Sequence, residues 1–218
     1  MTPVEIALSY YGLEEIKGEV DNPKILDMAK SLGLRWYKDD ETSWCGIFMG
    51  FIHQKCDLEI PDKPQGARNW LKIGEGVSEP NLGDVVIFWR ESLNSWKGHV
   101  GLFISYSEDK KYINTLGGNQ SNRVQISKYK ADQLLGFRRI PAKKSKYIQV
   151  KAEQLNQRTG PGKKFDLAGK PLAKGEILTI VEEVQEWVRV VREKKTVWVS
   201  KKYVDRLPNH KIEGNHDK

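Results

Sequence analysis

The sequence predicts an α+β domain followed by a small all-β module. Three observations predict it: helical periodicity over the first part of the chain, β-rich alternation after it, and a short basic break before a second set of β runs. The helical part opens with "PVEIALSYYGL" (3–13) and "NPKILDMAKSLGL" (22–34), where Asn22-Pro23 is a helix start and Gly33 a stop. A third helix begins at Cys45, with Trp44, Ile47, Phe48, Phe51 and Ile52 spaced to bury one face. "GARNWLKIG" (66–74) reads as a short fourth. The period then changes. "GDVVIFWR" (83–90), "HVGLFISYS" (99–107), "KYINTLG" (111–117), "RVQISKY" (123–129) and "LLGFRRI" (134–140) read as five strands of an antiparallel meander.

At "PAKKSK" (141–146) the apolar pattern breaks. Beyond it "YIQVKA", "LNQRTGPG", "EILTIVEEV", "EWVRVVRE" and "TVWVSKKYV" are five short β runs in about sixty residues, the size of a small barrel. The expected layout is therefore 1–141 for the α+β domain, 142–146 as linker, 147–208 as barrel and 209–218 as a polar, disordered tail.

At 218 residues, 39% hydrophobic and 30% charged, the chain can bury two modest cores. It holds no run of eighteen apolar residues, so no membrane span is expected. "MTPVEIALSYYGLEEIKG" has neither a basic n-region nor a continuous apolar core, so no signal peptide is expected. The net charge of +7 is uneven: residues 142–218 carry 18 Lys and Arg against 10 Asp and Glu, a net of +8, which leaves −1 for residues 1–141. A basic half suits a polyanionic partner, nucleic acid or the anionic polymers of a bacterial envelope. An aromatic-plus-basic nucleic-acid motif is missing outside the barrel, which disfavours the first.

Cys45 and Cys56 would be about 16 Å apart along one helix, too far to bridge. Cys45 follows "DDETSW" and opens an apolar helix, where free backbone N–H groups and the helix dipole favour a thiolate. That position predicts faster alkylation at Cys45 than at Cys56. A cysteine nucleophile needs a base. His210 and His216 lie in the tail, and His53 is about 12 Å along the same helix. His99 in "KGHVGLF", at a strand start, is the credible partner. "LGGNQSN" follows the next strand, with two glycines that permit close backbone approach; Asn119 there could orient the imidazole, or simply form a turn with Asn122. Gln120 is the neighbouring amide.

"NPKIL", "DETSWCGIF", "KGHVGLF" and "LGGNQSN", in that order, resemble the CHAP group of papain-like, NlpC-related cysteine peptidoglycan hydrolases over about residues 3–141. The resemblance implies a papain-like fold with Cys45 as nucleophile, His99 as base and Asn119 as third residue. Many members have glutamate where Gly117 stands here, so the orienting group is less fixed than the dyad. The Cys45 backbone N–H would serve the oxyanion, joined by Ser43 or Thr42. Trp44 and Gln120 are expected to touch substrate. Asp40 and Glu41 are expected at the helix N-terminus. Glu15 matches a recurrent acidic position of the group, with a surface or capping role as its alternative. Asp39, Asp40 and Glu41 match no calcium loop, so no metal and no cofactor is expected.

"LNQRTGPGKKF…KGEILTIVEE" and "VWVSKKYV" resemble a bacterial SH3-like domain, a module that commonly holds a hydrolase on the cell wall. Trp187, Tyr203 and Trp198 could form its binding surface or its core, and Arg158, Lys163 and Lys164 are expected to be exposed. The implied function is cleavage of an amide bond of the wall peptide by a phage-type lysin or a secreted antibacterial effector, acting on bacterial peptidoglycan, with an immunity protein as an open second partner. The alternative is a catalytically silent wall-binding or scaffold protein.

Overall fold

The computed structural model describes residues 1–18 and 20–207; the tail with His210 and His216 lies outside the described residues. Chain contacts divide it into two compact units, Met1–Lys143 and a second beginning at Lys144. No helix among the described residues is long and apolar enough to cross a membrane.

In the first unit, helix α1 (Pro3–Ser9) starts with a reciprocal capping box: Glu5 N–H donates to Thr2 Oγ1 at 3.3 Å and Thr2 N–H to Glu5 Oε2 at 2.8 Å. It stops sooner than the sequence suggests, because Gly12 takes φ +84° and the chain turns away. Helix α2 (Pro23–Ser31) is capped by Asn22, whose Oδ1 accepts from Lys24 N–H at 3.0 Å, and ends before Gly33 at φ +76°. Helix α3 (Cys45–Lys55) differs from the one-faced helix expected, since Cys45 to His53 are all buried. Close packing on the second side needs Gly46 and Gly50. A Cβ at Gly46 would sit 2.2 Å from the Pro64 carbonyl oxygen, and one at Gly50 2.8 Å from Leu32. The 66–74 segment forms a 3-10 helix over Ala67–Lys72.

A six-stranded antiparallel sheet carries these helices. Its strands are β1 (Glu75–Val77), β2 (Val85–Trp89), β3 (Gly98–Tyr106), β4 (Tyr112–Gln120), β5 (Arg123–Lys130) and β6 (Leu134–Arg139), in the order β1-β6-β2-β3-β4-β5. Only β2 to β5 form a meander; β6 crosses back to pair with β2 rather than adding beside β5, and β1 was not expected. Alternation along β2 builds two cores. Val85 and Ile87 join the cluster under the helices with Trp44, Phe48, Val100 and Leu116, while Val86 and Phe88 join Phe103, Ile113 and Phe137 on the opposite face.

The second unit is all β. Strands β7 (Tyr147–Val150), β10 (Ile177–Val184), β11 (Trp187–Arg192), β12 (Lys195–Ser200) and β13 (Val204–Leu207) form a sheet ordered β12-β11-β10-β7-β13; β8 (Gln154–Leu155) pairs with β9 (Leu172–Ala173). Ile148, Val150, Leu172, Leu178, Val190 and Val199 fill its core. Arg158 is half-buried, not exposed as expected: it exchanges backbone hydrogen bonds with Trp198 and donates through its guanidinium to the Phe165 carbonyl at 2.7 Å.

Candidate active site

Cys45 is the first residue of α3, and His99 the second residue of β3. The two elements pack together through one core, in which Trp44, Cys45 and Phe48 meet Val100. The Cys45 thiol takes contacts from the Ser43 hydroxyl, 3.8 Å away, and from the backbone N–H groups of Gly46 and Val100. Val100 is the residue after His99, which places the thiol beside the strand that bears the imidazole. Thr42, by contrast, spends its carbonyl on Tyr37 Oη at 2.7 Å and its N–H on Asp39.

Both groups are almost out of water, at 3% and 2% exposed. Burial pushes the Cys45 thiol up, with Ser43, Val100, Gly46 and the charge of Arg90 pulling partly against it. Burial and then Arg90 push the His99 imidazole down to about 3, while the Gln120 side chain acts to raise it. The thiolate expected from the helix dipole is therefore not the resting state. Desolvation is the largest influence on both groups, and it disfavours the thiolate and the imidazolium alike.

The amide beside the imidazole is Gln120, not Asn119. A Cβ on Gly117 would lie 3.4 Å from His99 Nε2 and 3.5 Å from Gln120 Cδ, so the three groups converge. Gln120 Nε2 donates to the carbonyls of Thr115 (3.1 Å), Gly117 (3.2 Å) and Gln125. Three carbonyls can only be satisfied by the NH₂ end, so Oε1 is turned away from them. Oε1 and His99 Nε2 are both buried and neither has a hydrogen-bond partner among the described residues. The Gln120 side chain is still near enough to act on the imidazole, and contacts of this kind commonly tighten when such sites fill. An acceptor near Nε2 favours the tautomer with the proton there, which leaves the lone pair on Nδ1. Gln120 is buried beside His99, to the same degree as Cys45 and His99 themselves.

Asn119 has a different task. In the orientation that satisfies its neighbours, its Oδ1 accepts from Trp44 N–H at 3.1 Å and its Nδ2 donates to Glu15 Oε1 at 3.3 Å. Trp44 is the N-cap of α3 and has no side-chain cap of its own, so Asn119 supplies one across space. Glu15 Oε1 also accepts the Trp44 indole N–H at 2.7 Å. The Trp44 ring is fully buried, edge-on to Phe48, which corrects its expected contact with substrate. Gly118 is required there: a Cβ would sit 2.4 Å from Trp44 Cζ3. Asp40 does not cap α3 either; its Oδ2 ties the 16–22 loop, accepting from Ile16 N–H (3.0 Å) and Asn22 N–H (2.7 Å).

Two neighbours escaped the sequence reading. Tyr129, on β5, stacks on His99 with ring centroids 4.6 Å apart and planes within 10°, and on Phe88 at 4.6 Å and 17°. Burial raises its phenol, a thiolate at Cys45 would raise it further, and Arg90 opposes the rise. Arg90, just past β2, is the cation that bears on Cys45, His99 and Tyr129 together. The readable signal was strand alternation: Phe88 and Arg90 share a face, and Phe88 pairs with His99. His53 stands apart, buried edge-on against Trp70 at 4.8 Å with Nδ1 on the Met49 carbonyl. Cys56 lies at the far end of α3, half-buried.

In the second unit, Trp187 and Tyr203 line a groove of about 360 Å³ with Asn156, Arg158, Lys163 and Ser200. Tyr203 is exposed and Trp187 half-buried, whereas Trp198 is buried.

Residues 153–205 match the family model described as Bacterial SH3 domain. No curated protein matches the chain. Among solved structures it is similar to the crystal structure of Ly7917 with the hydrolysing product of MDP, at 17% identity and a TM-score of 0.22, over 56% of this chain and 58% of that one. A second Ly7917 structure matches at 17% and 0.22, over 59% and 64%. The chain thus spans less than two thirds of Ly7917, and at that TM-score the likeness says nothing about the site.

Proposed function

We propose that the chain is a peptidoglycan hydrolase of the CHAP-like, papain-type cysteine class, cleaving an amide bond of the wall peptide at Cys45. The observation that supports the reading is a cysteine opening a buried helix, with its thiol on the backbone N–H of Val100, the residue after His99, and with the Gln120 side chain close to that imidazole. His99 Nδ1 takes the thiol proton as sulfur attacks the substrate carbonyl, and the free Cys45 N–H at the helix start receives the oxyanion. The tetrahedral intermediate collapses to a thioester as the imidazolium protonates the leaving amine. Water then attacks the thioester, giving its proton to His99, and the thiol is restored. Gln120 Oε1 stabilises the imidazolium while it exists. The SH3-like unit binds the wall through the Trp187–Tyr203 groove and its basic surface, which keeps the catalytic unit on an insoluble substrate. Its place of work is then the cell wall, as a lysin or secreted effector, and an immunity protein is a fitting partner for the second case.

The near-complete burial of Cys45 and His99 favours one other reading, a wall-binding protein that does not cut. Purified peptidoglycan incubated with wild-type and Cys45→Ala protein, followed by mass spectrometry of soluble fragments, separates the two. New amide-cleaved fragments from wild type alone support hydrolysis and name the bond. Binding to sacculi without any fragment supports the silent protein.

A further inference from the structure

We infer that Arg90 is the specificity residue of this site: it docks a carboxylate that the wall peptide carries next to the bond to be cut. The inference rests on the hydrolase reading above. Phe88 pairs directly with His99 across β2 and β3, and Trp89 with Gly98. Alternation then puts the next residue of that face, Arg90, on the same side as Phe88 and His99, about 7 Å further along the strand. A side chain as long as arginine spans that gap. Tyr129 stacks on both Phe88 and His99, and the Arg90 charge acts on Tyr129, His99 and Cys45 alike, so Arg90 stands beside the aromatic stack that covers the imidazole.

The surroundings leave this cation available. Arg90 is exposed and forms no ion pair among the described residues. The loop that follows it satisfies its other charges internally: Lys97 pairs with Glu91. Arg68 donates from below to the carbonyls of Lys97 (3.1 Å), Ser92 (3.4 Å) and Leu93 (3.0 Å), fixing the loop's path. Arg90 N–H donates to the Lys97 carbonyl at 3.3 Å. The residue is therefore held at its base and free at its head, which lowers the ordering cost of binding an anion.

An unpaired cation here opposes protonation of His99, the step catalysis needs. A bound carboxylate neutralises it and lets the imidazole recover basicity. Recognition and activation would then be one event, and a substrate lacking the carboxylate would lose on both counts. Stem peptides carry acidic residues whose carboxyl group is either free or converted to a primary amide, and the two forms differ by one charge at nearly constant shape.

The test uses a matched pair of soluble muropeptides, one with that carboxyl free and one with it amidated. Wild-type kcat/KM should favour the free acid by about tenfold, the lower range for a charge-assisted contact at a solvent-facing site. Arg90→Gln should erase the preference, and Arg90→Lys should retain part of it. Binding of both peptides to Cys45→Ala and Cys45→Ala/Arg90→Gln, by calorimetry, should show the same preference and the same loss. Equal turnover of the two peptides by wild type overturns the inference, as does an equal drop on both in Arg90→Gln. If wild type cuts neither peptide yet the Cys45→Ala protein binds the free acid better through Arg90, the hydrolase reading fails and the carboxylate site stands.

Discussion

Adjacent amides at positions 119 and 120 should fail in opposite ways. Asn119 caps α3 through Trp44 N–H and sits at φ +54°. Asn119→Gly tolerates that φ and removes the cap together with the bond to Glu15, about 1–2 kcal/mol. Asn119→Ala removes the cap and strains the left-handed backbone as well, for a total of about 2–3 kcal/mol. In a unit of this size each kcal/mol lowers Tm by about 3–5 °C. Neither change alters what faces His99, so kcat at a temperature well below Tm should stay within about threefold. Gln120→Ala leaves the carbonyls of Thr115, Gly117 and Gln125 without their shared donor, which costs stability too. Its signature is the rate. The amide oxygen on an imidazolium contributes about 1.5–3 kcal/mol, so kcat should fall about 10- to 100-fold. Gln120→Glu should not restore it, because a carboxylate there meets three carbonyl oxygens. The assays are calorimetric unfolding of each variant and turnover of a soluble muropeptide. A tenfold slower Asn119→Gly beside a near-normal Gln120→Ala would refute the assignment of the two amides.

A methyl group at each of two neighbouring glycines should separate activity from stability: Gly118→Ala drives a Cβ to 2.4 Å from the Trp44 ring and should unfold or shift α3, whereas Gly117→Ala fits at 3.4 Å from His99 Nε2 and should slow turnover at little cost in Tm. His53 and His99 are held neutral when folded, at about 4 and about 3, against an unfolded value of about 6.5. The unfolded chain therefore binds more protons below pH 6.5, and stability should fall from there toward pH 4, by about 3 kcal/mol for His53 alone. His53→Leu should flatten the fall of Tm with pH; an unchanged slope contradicts the burial argument. With both dyad members neutral, iodoacetamide at pH 7 should label Cys45 no faster than Cys56, read by peptide mass spectrometry, and its rate should climb only at alkaline pH. In the second unit, Tyr203→Ala should lower binding to sacculi about tenfold without unfolding the barrel, because the ring is an exposed lining of its groove.

The sequence made Cys45 at a helix start and His99 at a strand start legible because those signals are local. A cysteine opening a helix and a histidine opening a strand need no knowledge of what lies far along the chain. The third residue was a different matter. One extra residue bulges β4 between Gly117 and Gln120, and Asn119 turns to positive φ. A bulge of that kind changes which side chain faces which side, so strand alternation through "LGGNQ" selects the wrong amide. The protonation state was hidden for another reason. Apolar spacing shows that α3 buries a face, but the burial of its second side depends on Pro64, Gln65 and Leu32 meeting Gly46 and Gly50. Both glycines were in view as a hint. Strand β6 crossing to β2, and β1 forming on β6 from "EGV", are non-local pairings that carry no pattern of their own.

On the hydrolase reading proposed above, burial that makes the resting pair neutral would also make the site selective in when it reacts. A dry pocket disfavours an isolated thiolate and an isolated imidazolium, yet strengthens every dipole already aimed at the pair. Those dipoles are the Gly46 and Val100 N–H groups and the Ser43 hydroxyl at the sulfur, and the Gln120 side-chain amide beside the imidazole. They are held by the fold, Gln120 most firmly through its three carbonyls, so none has to reorganise as charge develops. What the resting protein lacks is an anion to offset Arg90, whose charge favours the thiolate and opposes the imidazolium. A substrate carboxylate would remove the second effect while bringing the carbonyl that consumes the thiolate. On this reasoning the ion pair is a property of the occupied site rather than of the free protein.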